Sequence, residues 1–172
     1  MNKTASPASV PWSVPVAVED IPDSGLHIEI EAPAATRAAL AELAAVRELP
    51  QLAAVFDLTR QGDWLHVAGQ VSARVGQNCV VTLEPIESPV DEAVDLRFAP
   101  QAKTPKSDAD PEPLLGGIVD LGAIATEFLI LGINPYPRKA DAKFTPPKSE
   151  DDGAHTFSGL EALKKRLGGS QP

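Results

Sequence analysis

Few side chains in this chain of 172 residues are of types that do chemistry, and their spacing restricts what that chemistry can be. The densest carboxylates near a strand pattern are Asp91, Glu92 and Asp95. Metal-dependent hydrolases gather carboxylates around a divalent ion, so this trio is the basis for one reading, a metal-dependent RNA-processing enzyme. On a strand, side chains alternate between faces, which puts Asp91 and Asp95 on one side and Glu92 on the other. Asp120 and Glu127 would share a helix face, but Asp120 is already accounted for as a helix N-cap. His27, His66 and His155 have no partner close in sequence, and His27 and His66 fall where the solvent face of a sheet is expected. Cys79 is the single cysteine, so neither an intrachain disulfide nor a Cys-rich zinc site can form. It stands beside Val80 and Val81 with no cation nearer in sequence than Arg74, and reads as a small buried apolar residue rather than a reactive thiolate. Gly116-Gly117 lacks the Lys and Ser/Thr of a phosphate loop, and no dinucleotide glycine pattern is present. No catalytic constellation and no cofactor follow from these residues.

Two basic segments remain. Arg138, Lys139, Lys143 and Lys148 interleave with Tyr136 and Phe144, an arrangement that suits RNA, with cations on phosphates and rings on bases. It equally suits a solvated strap with its rings packed down, and the Lys164-Lys165-Arg166 cluster carries the same two readings. The net charge of −9 works against non-specific nucleic-acid binding. Residues 1–100 hold 6 basic and 14 acidic side chains, whereas 101–172 hold 9 and 10. An acidic body favours a basic partner, ribosomal proteins among them, or simply keeps the protein soluble. Neither a signal peptide nor an apolar run long enough for a membrane helix is present, which points to the cytoplasm.

The elements that must position these residues centre on Trp64 to Phe98. Leu65, Val67, Gly69, Val71, Ala73 and Val75 alternate with polar residues, and Val90, Val94, Leu96 and Phe98 do the same, with Glu92 breaking the second pattern. Upstream, residues 1–11 form a disordered lead and Val14, Val16 and Val18 mark an edge strand containing Pro15. Leu26–Glu31 is a strand, Pro33–Leu49 a helix with a Leu40, Leu43, Val46 stripe, and Leu52–Leu58 a strand paired with the next as a hairpin. About 99–117 is a proline-rich flexible linker. Asp120–Gly132 is a second helix, with Leu121, Ile124, Phe128 and Leu131 at helical spacing. Residues 133–172 form an extended tail, mobile and rich in proline, with a short helix at about 157–167. The class is α+β, a single domain over 12–132: a mainly antiparallel sheet covered by a helix, whose long strands are also compatible with an open barrel.

Three ordered segments resemble the YceD family (DUF177). The first runs from Gly69-Gln70-Val71-Ser72-Ala73 to Gln77-Asn78-Cys79-Val80-Val81-Thr82-Leu83-Glu84-Pro85 and on into Val90–Phe98. The second runs from Val119-Asp120-Leu121 to Asn134-Pro135-Tyr136-Pro137-Arg138-Lys139. The third, Thr156 to Lys164, is similar to the family's Phe-x-x-Leu-x-x-Leu-Lys ending. In order they cover roughly residues 10–167, and the version is similar to the alphaproteobacterial branch. Many relatives carry Cys-x-x-Cys where this chain has Cys79 and Thr82, and later family cysteines are missing too, so a thiolate zinc site cannot form here.

The resemblance implies a non-enzymatic ribosome-biogenesis factor that supports accumulation of large-subunit (23S) rRNA. Its partner would be a ribosomal protein, an assembly intermediate or pre-rRNA. The contact residues would be Leu83, Glu84 and Pro85, then Tyr136, Arg138 and Lys139, then Phe157, Leu160 and Leu163, although the last three are equally suited to dock the tail on the body. A structural adaptor unrelated to ribosomes is a further alternative. Oligomeric state is not indicated.

Overall fold

The computed structural model describes residues 11–100 and 111–144. Residues 1–10 of the expected 1–11 lead, the middle of the expected linker and the tail from 145, with its helix at about 157–167, lie outside the described residues. Met1–Ala142 forms one unit and Lys143–Pro172 a second, of which only the exposed Lys143 and Phe144 are described.

The strands that the alternation predicts are all present; three run well beyond their apolar cores, whereas the first is shorter than the expected Val14–Val18 pattern because Val18 opens a 3-10 turn. β1 spans Pro15–Ala17, β2 Leu26–Glu31, β3 Glu48–Gln61, β4 Trp64–Asn78 and β5 Pro85–Pro100. Two further strands, β6 at Glu112–Leu114 and β7 at Ile118–Asp120, fall in or just after the stretch expected to be a linker. β6 runs parallel to Phe98–Pro100, so this part of the stretch belongs to the sheet. The main sheet has the order β2-β3-β4-β5-β6 and is antiparallel except at β6; a separate pair, β1-β7, is antiparallel. The sheet is not closed into a barrel: β2 and β6 are its two ends.

Burial follows the period of two. Leu52, Ala54, Phe56 and Leu58 from β3 meet Leu65, Val67, Val71, Ala73 and Val75 from β4 in one core. Gly69 occupies this inner face opposite Phe56. A Cβ there would lie 2.1 Å from the Val55 carbonyl oxygen and 2.8 Å from Phe56 Cδ1, so only glycine fits beneath the ring. On β5 the apolar alternation holds except at Glu92, an inner-face position that lies beside Gly132 at the end of the second helix, where a Cβ would come within 2.7 Å of its Cγ.

The first helix, α1 (Ala34–Leu43), is shorter than the composition of 33–49 suggests. Its end is a Schellman turn: Val46 N–H donates to Ala41 O at 3.0 Å and Ala45 N–H to Glu42 O at 3.1 Å, with Ala45 at φ 53°. β3 begins soon after it, at Glu48, within the stretch expected to be helical. Leu40 and Ala41 are buried, whereas Leu43, expected in the apolar stripe, is exposed. The second helix, α2 (Leu121–Gly132), begins where expected. Asp120 caps it, accepting from Gly122 N at 3.0 Å and Ala123 N at 3.1 Å, and also from Ser13 Oγ at 2.6 Å and Val14 N at 2.8 Å. Burial raises the Asp120 pKa, but these four hydrogen bonds outweigh it and hold the carboxyl below its ordinary value. Its core stripe is Leu121, Ile124, Ala125 and Leu129; Leu131 points outward, 71% exposed. Both helices pack on the inner face of the sheet, and among the described residues no helix covers the outer face.

Candidate functional site

Two of the three singled-out segments meet at one corner of the sheet. Antiparallel pairing of β4 and β5 ends at Asn78 and Pro85, so Cys79–Glu84 must reverse the chain. Proline is tolerated at Pro85 because it is the first residue of its strand. The loop closes on itself: Cys79 N–H donates to Glu84 O at 2.8 Å and Leu83 N–H to Cys79 O at 2.9 Å. Closure places Leu83 at φ 60°, a left-handed conformation that is unusual for a bulky side chain. Leu83 is 75% exposed.

The stretch after α2 is laid against this loop. An Asx turn, Tyr136 N–H to Asn134 Oδ1 at 2.9 Å, redirects the chain after the helix. Gln77 Nε2 donates to Asn134 O at 2.9 Å, Val80 N–H to Pro137 O at 2.9 Å, and Lys139 N–H to Cys79 Sγ at 3.4 Å. The Lys139 ammonium lies 3.0 Å from Glu84 Oε2, which also accepts from Thr82 Oγ1 at 3.3 Å. This pairing lowers the Glu84 pKa and raises that of Lys139. Pro137 is buried; Arg138 is exposed; Tyr136 is 73% exposed and Val80 44%. On the far side Arg47 donates to Asn78 Oδ1 at 3.2 Å and, through its backbone, to Gly76 O at 2.9 Å. The result is a fixed platform that lifts three apolar side chains, Val80, Leu83 and Tyr136, into solvent beside cationic groups.

Cys79 is buried, as its neighbours predict, but it is more than an apolar filler. Its sulfur also accepts from Thr82 N at 3.5 Å. Hydrogen bonding to the Thr82 side chain first, then to the Lys139 and Thr82 backbone, outweighs burial and draws the thiol down to about 7. The sulfur is therefore the acceptor that joins the two segments.

Of the predicted contact residues, Leu83, Glu84, Pro85, Tyr136, Arg138 and Lys139 belong to this corner. Phe157, Leu160 and Leu163 lie outside the described residues. Asn134, Gln77, Arg47 and the Cys79 acceptor role escape a reading by residue type; the Asn-Pro dipeptide is the one local signal, as a turn former. The carboxylates of the enzymatic reading are dispersed. Asp91 accepts from Ser72 at 2.8 Å and Asp95 contacts His66 at 2.8 Å. Four residues at about 3.3 Å each separate their Cα atoms by about 13 Å, too far to share one ion. Among the described residues, no group of three His, Cys, Asp or Glu side chains is placed to hold a metal. His27 also has a cross-strand partner, Asp57 at 2.6 Å, whose hydrogen bond raises its pKa.

The fold and this corner define an α+β protein with a half-covered antiparallel sheet that presents a surface built from two separated segments. The chain belongs to the YceD family, described as large ribosomal RNA subunit accumulation protein, whose family model matches residues 67–164. The match opens in β4 and takes in the Cys79–Pro85 loop, α2 and the Asn134–Lys139 segment; it is narrower than the span of 10–167 suggested by the order of the resembling segments. No curated protein and no solved structure matches the chain. Among the described residues no helix is long and apolar enough to cross a membrane.

Proposed function

We propose that this protein is a cytoplasmic ribosome-biogenesis factor that supports accumulation of large-subunit rRNA by binding, not by catalysis. It engages a ribosomal protein or a pre-ribosomal particle through the Cys79–Pro85 and Tyr136–Lys139 corner. The observation that carries the reading is Leu83: a strained, bulky side chain held three-quarters in solvent adds little to the fold, and such strain persists where function uses it. Tyr136, exposed on the adjoining segment, supplies the kind of ring that anchors interfaces. The family description supports the ribosomal setting.

The test is deletion of the gene with measurement of large- relative to small-subunit rRNA, followed by complementation with Leu83→Asp combined with Tyr136→Ala. A reduced ratio that wild type restores and the double variant does not is expected. An unchanged ratio with a normal ribosome gradient on deletion overturns the reading. Replacing Arg138 and Lys139 by Ala separates partner classes: if the corner touches RNA, binding weakens and its salt dependence flattens.

A further inference from the structure

The outer face of the sheet has its own character. No helix among the described residues covers it, and its residues alternate with the core residues of β2 to β5. Its carboxylates include Glu29, Glu31, Asp57, Glu87, Asp91 and Asp95, against Arg74, Arg97, His27 and His66, with His27 2.6 Å from Asp57 and His66 2.8 Å from Asp95. Arg74 is neutralised locally by Glu87 at 3.0 Å. The middle of the face is lined by small side chains because the register aligns Ala53 with Ser72, Asp57 with Ala68, and Gln70 with Ala93. The alignment leaves a depression of about 400 Å³ whose lining includes Ala53, Val55, Asp57, Gln70 and Ser72. Val55 at its floor is 37% exposed, and Trp64 at one end of the face is 40% exposed. An apolar trough rimmed by carboxylates repels a phosphate backbone and complements a cationic chain that carries aliphatic side chains.

We infer that this open face is a second docking surface, separate from the corner, whose occupant is a lysine- and arginine-rich polypeptide segment that seats aliphatic side chains in the Ala53–Val55–Gln70–Ser72 trough. The cations of that segment meet Asp91 and, alongside their histidine partners, Asp57 and Asp95 at the rim. This deepens the ribosomal reading by giving the protein partner a chemistry, and it rests on that reading only for where the partner is met.

The experiment titrates the full-length protein, labelled for amide NMR, with a synthetic helical peptide of lysine, arginine, leucine and alanine, and in parallel with oligolysine of equal charge and with a single-stranded RNA oligonucleotide. The peptide is expected to shift the amides of Ala68, Gln70, Ser72 and Ala93 and to bind at least about tenfold more tightly than oligolysine. Its affinity should fall with salt and by about tenfold or more in Asp57→Asn/Asp91→Asn/Asp95→Asn. Should that variant fold poorly, Ala53→Arg tests the same trough without touching the carboxylates, and should abolish the shifts. Shifts confined to 79–84 and 136–139, unchanged affinity in the folded variants, equal binding of oligolysine, or tighter binding of RNA to the face would each overturn the inference. Deletion of the gene tests the ribosomal reading separately, so the two fail by different measurements.

Discussion

Leu83→Gly separates a residue kept for binding from one kept for the fold. A non-glycine residue in the left-handed region costs about 1–2 kcal/mol, and Leu83 bears that cost at φ 60°. Glycine removes it but adds unfolded-chain entropy worth about 0.4–1 kcal/mol. With the side chain 75% exposed, about a quarter of its burial free energy is lost as well, on the order of 0.5 kcal/mol. These contributions nearly cancel, so Leu83→Gly should leave stability within about 1 kcal/mol of wild type, or a few degrees in Tm. Leu83→Ala keeps the strain and loses the contact, and should be the less stable of the two. Both variants should fail to restore the large-subunit rRNA ratio in deletion cells. Urea unfolding of the three proteins with complementation in parallel is the assay. A loss above about 2 kcal/mol in Leu83→Gly would show that Leu83 serves packing, and full complementation by Leu83→Gly would show that its side chain serves nothing at the corner.

Gly69→Ala should destabilise by at least about 3 kcal/mol, because its Cβ collides with a sheet backbone oxygen that cannot move; a loss under about 1 kcal/mol in thermal unfolding would mean that β3 and Phe56 yield. Asp120→Ala should cost about 2 kcal/mol by uncapping α2 and releasing Ser13 and Val14. Since the folded carboxyl titrates below its unfolded value, its contribution is complete above about pH 4 and is lost as pH falls through the folded pKa. The acid limb of the stability profile should therefore be shallower in Asp120→Ala. The Cys79 thiolate absorbance should rise with a midpoint near pH 7, and Thr82→Val should move that midpoint upward. The thiolate's contribution to stability is complete above the unfolded thiol value, about 8.5, and is lost as pH falls through about 7, so Cys79→Ala should abolish a rise in stability between neutral and mildly basic pH.

The strands were legible because one buried face imposes a period of two. β4 shows this over its full length, and even its one irregular inner residue, Gly69, is a response to the ring of Phe56 on the neighbouring strand. Asp120 was legible because a cap is local. The end of α1 was not: Ala45 takes the left-handed position where a glycine would have marked the stop, and helix-forming residues continue past it. Leu131 fits the helical spacing, yet its direction depends on where β4 and β5 lie under α2. The corner was legible in pieces only. Nothing near Cys79 says that its sulfur will meet the amide of Lys139, and nothing near His66 or His27 names Asp95 or Asp57, because cross-strand partners follow from register rather than from composition.

The meeting of Cys79–Glu84 with Asn134–Lys139 has a consequence in time. Sixty residues separate the sulfur from the Lys139 amide that it accepts, so the hairpin of β4 and β5 leaves the synthesising ribosome well before the segment that completes its tip. Contacts so distant in sequence form late in folding. A half-made chain therefore displays Leu83 without Tyr136 and Arg138 behind it. The assembled platform exists only once α2 has been made and docked, so under the proposed function partner capture would be reserved for finished molecules.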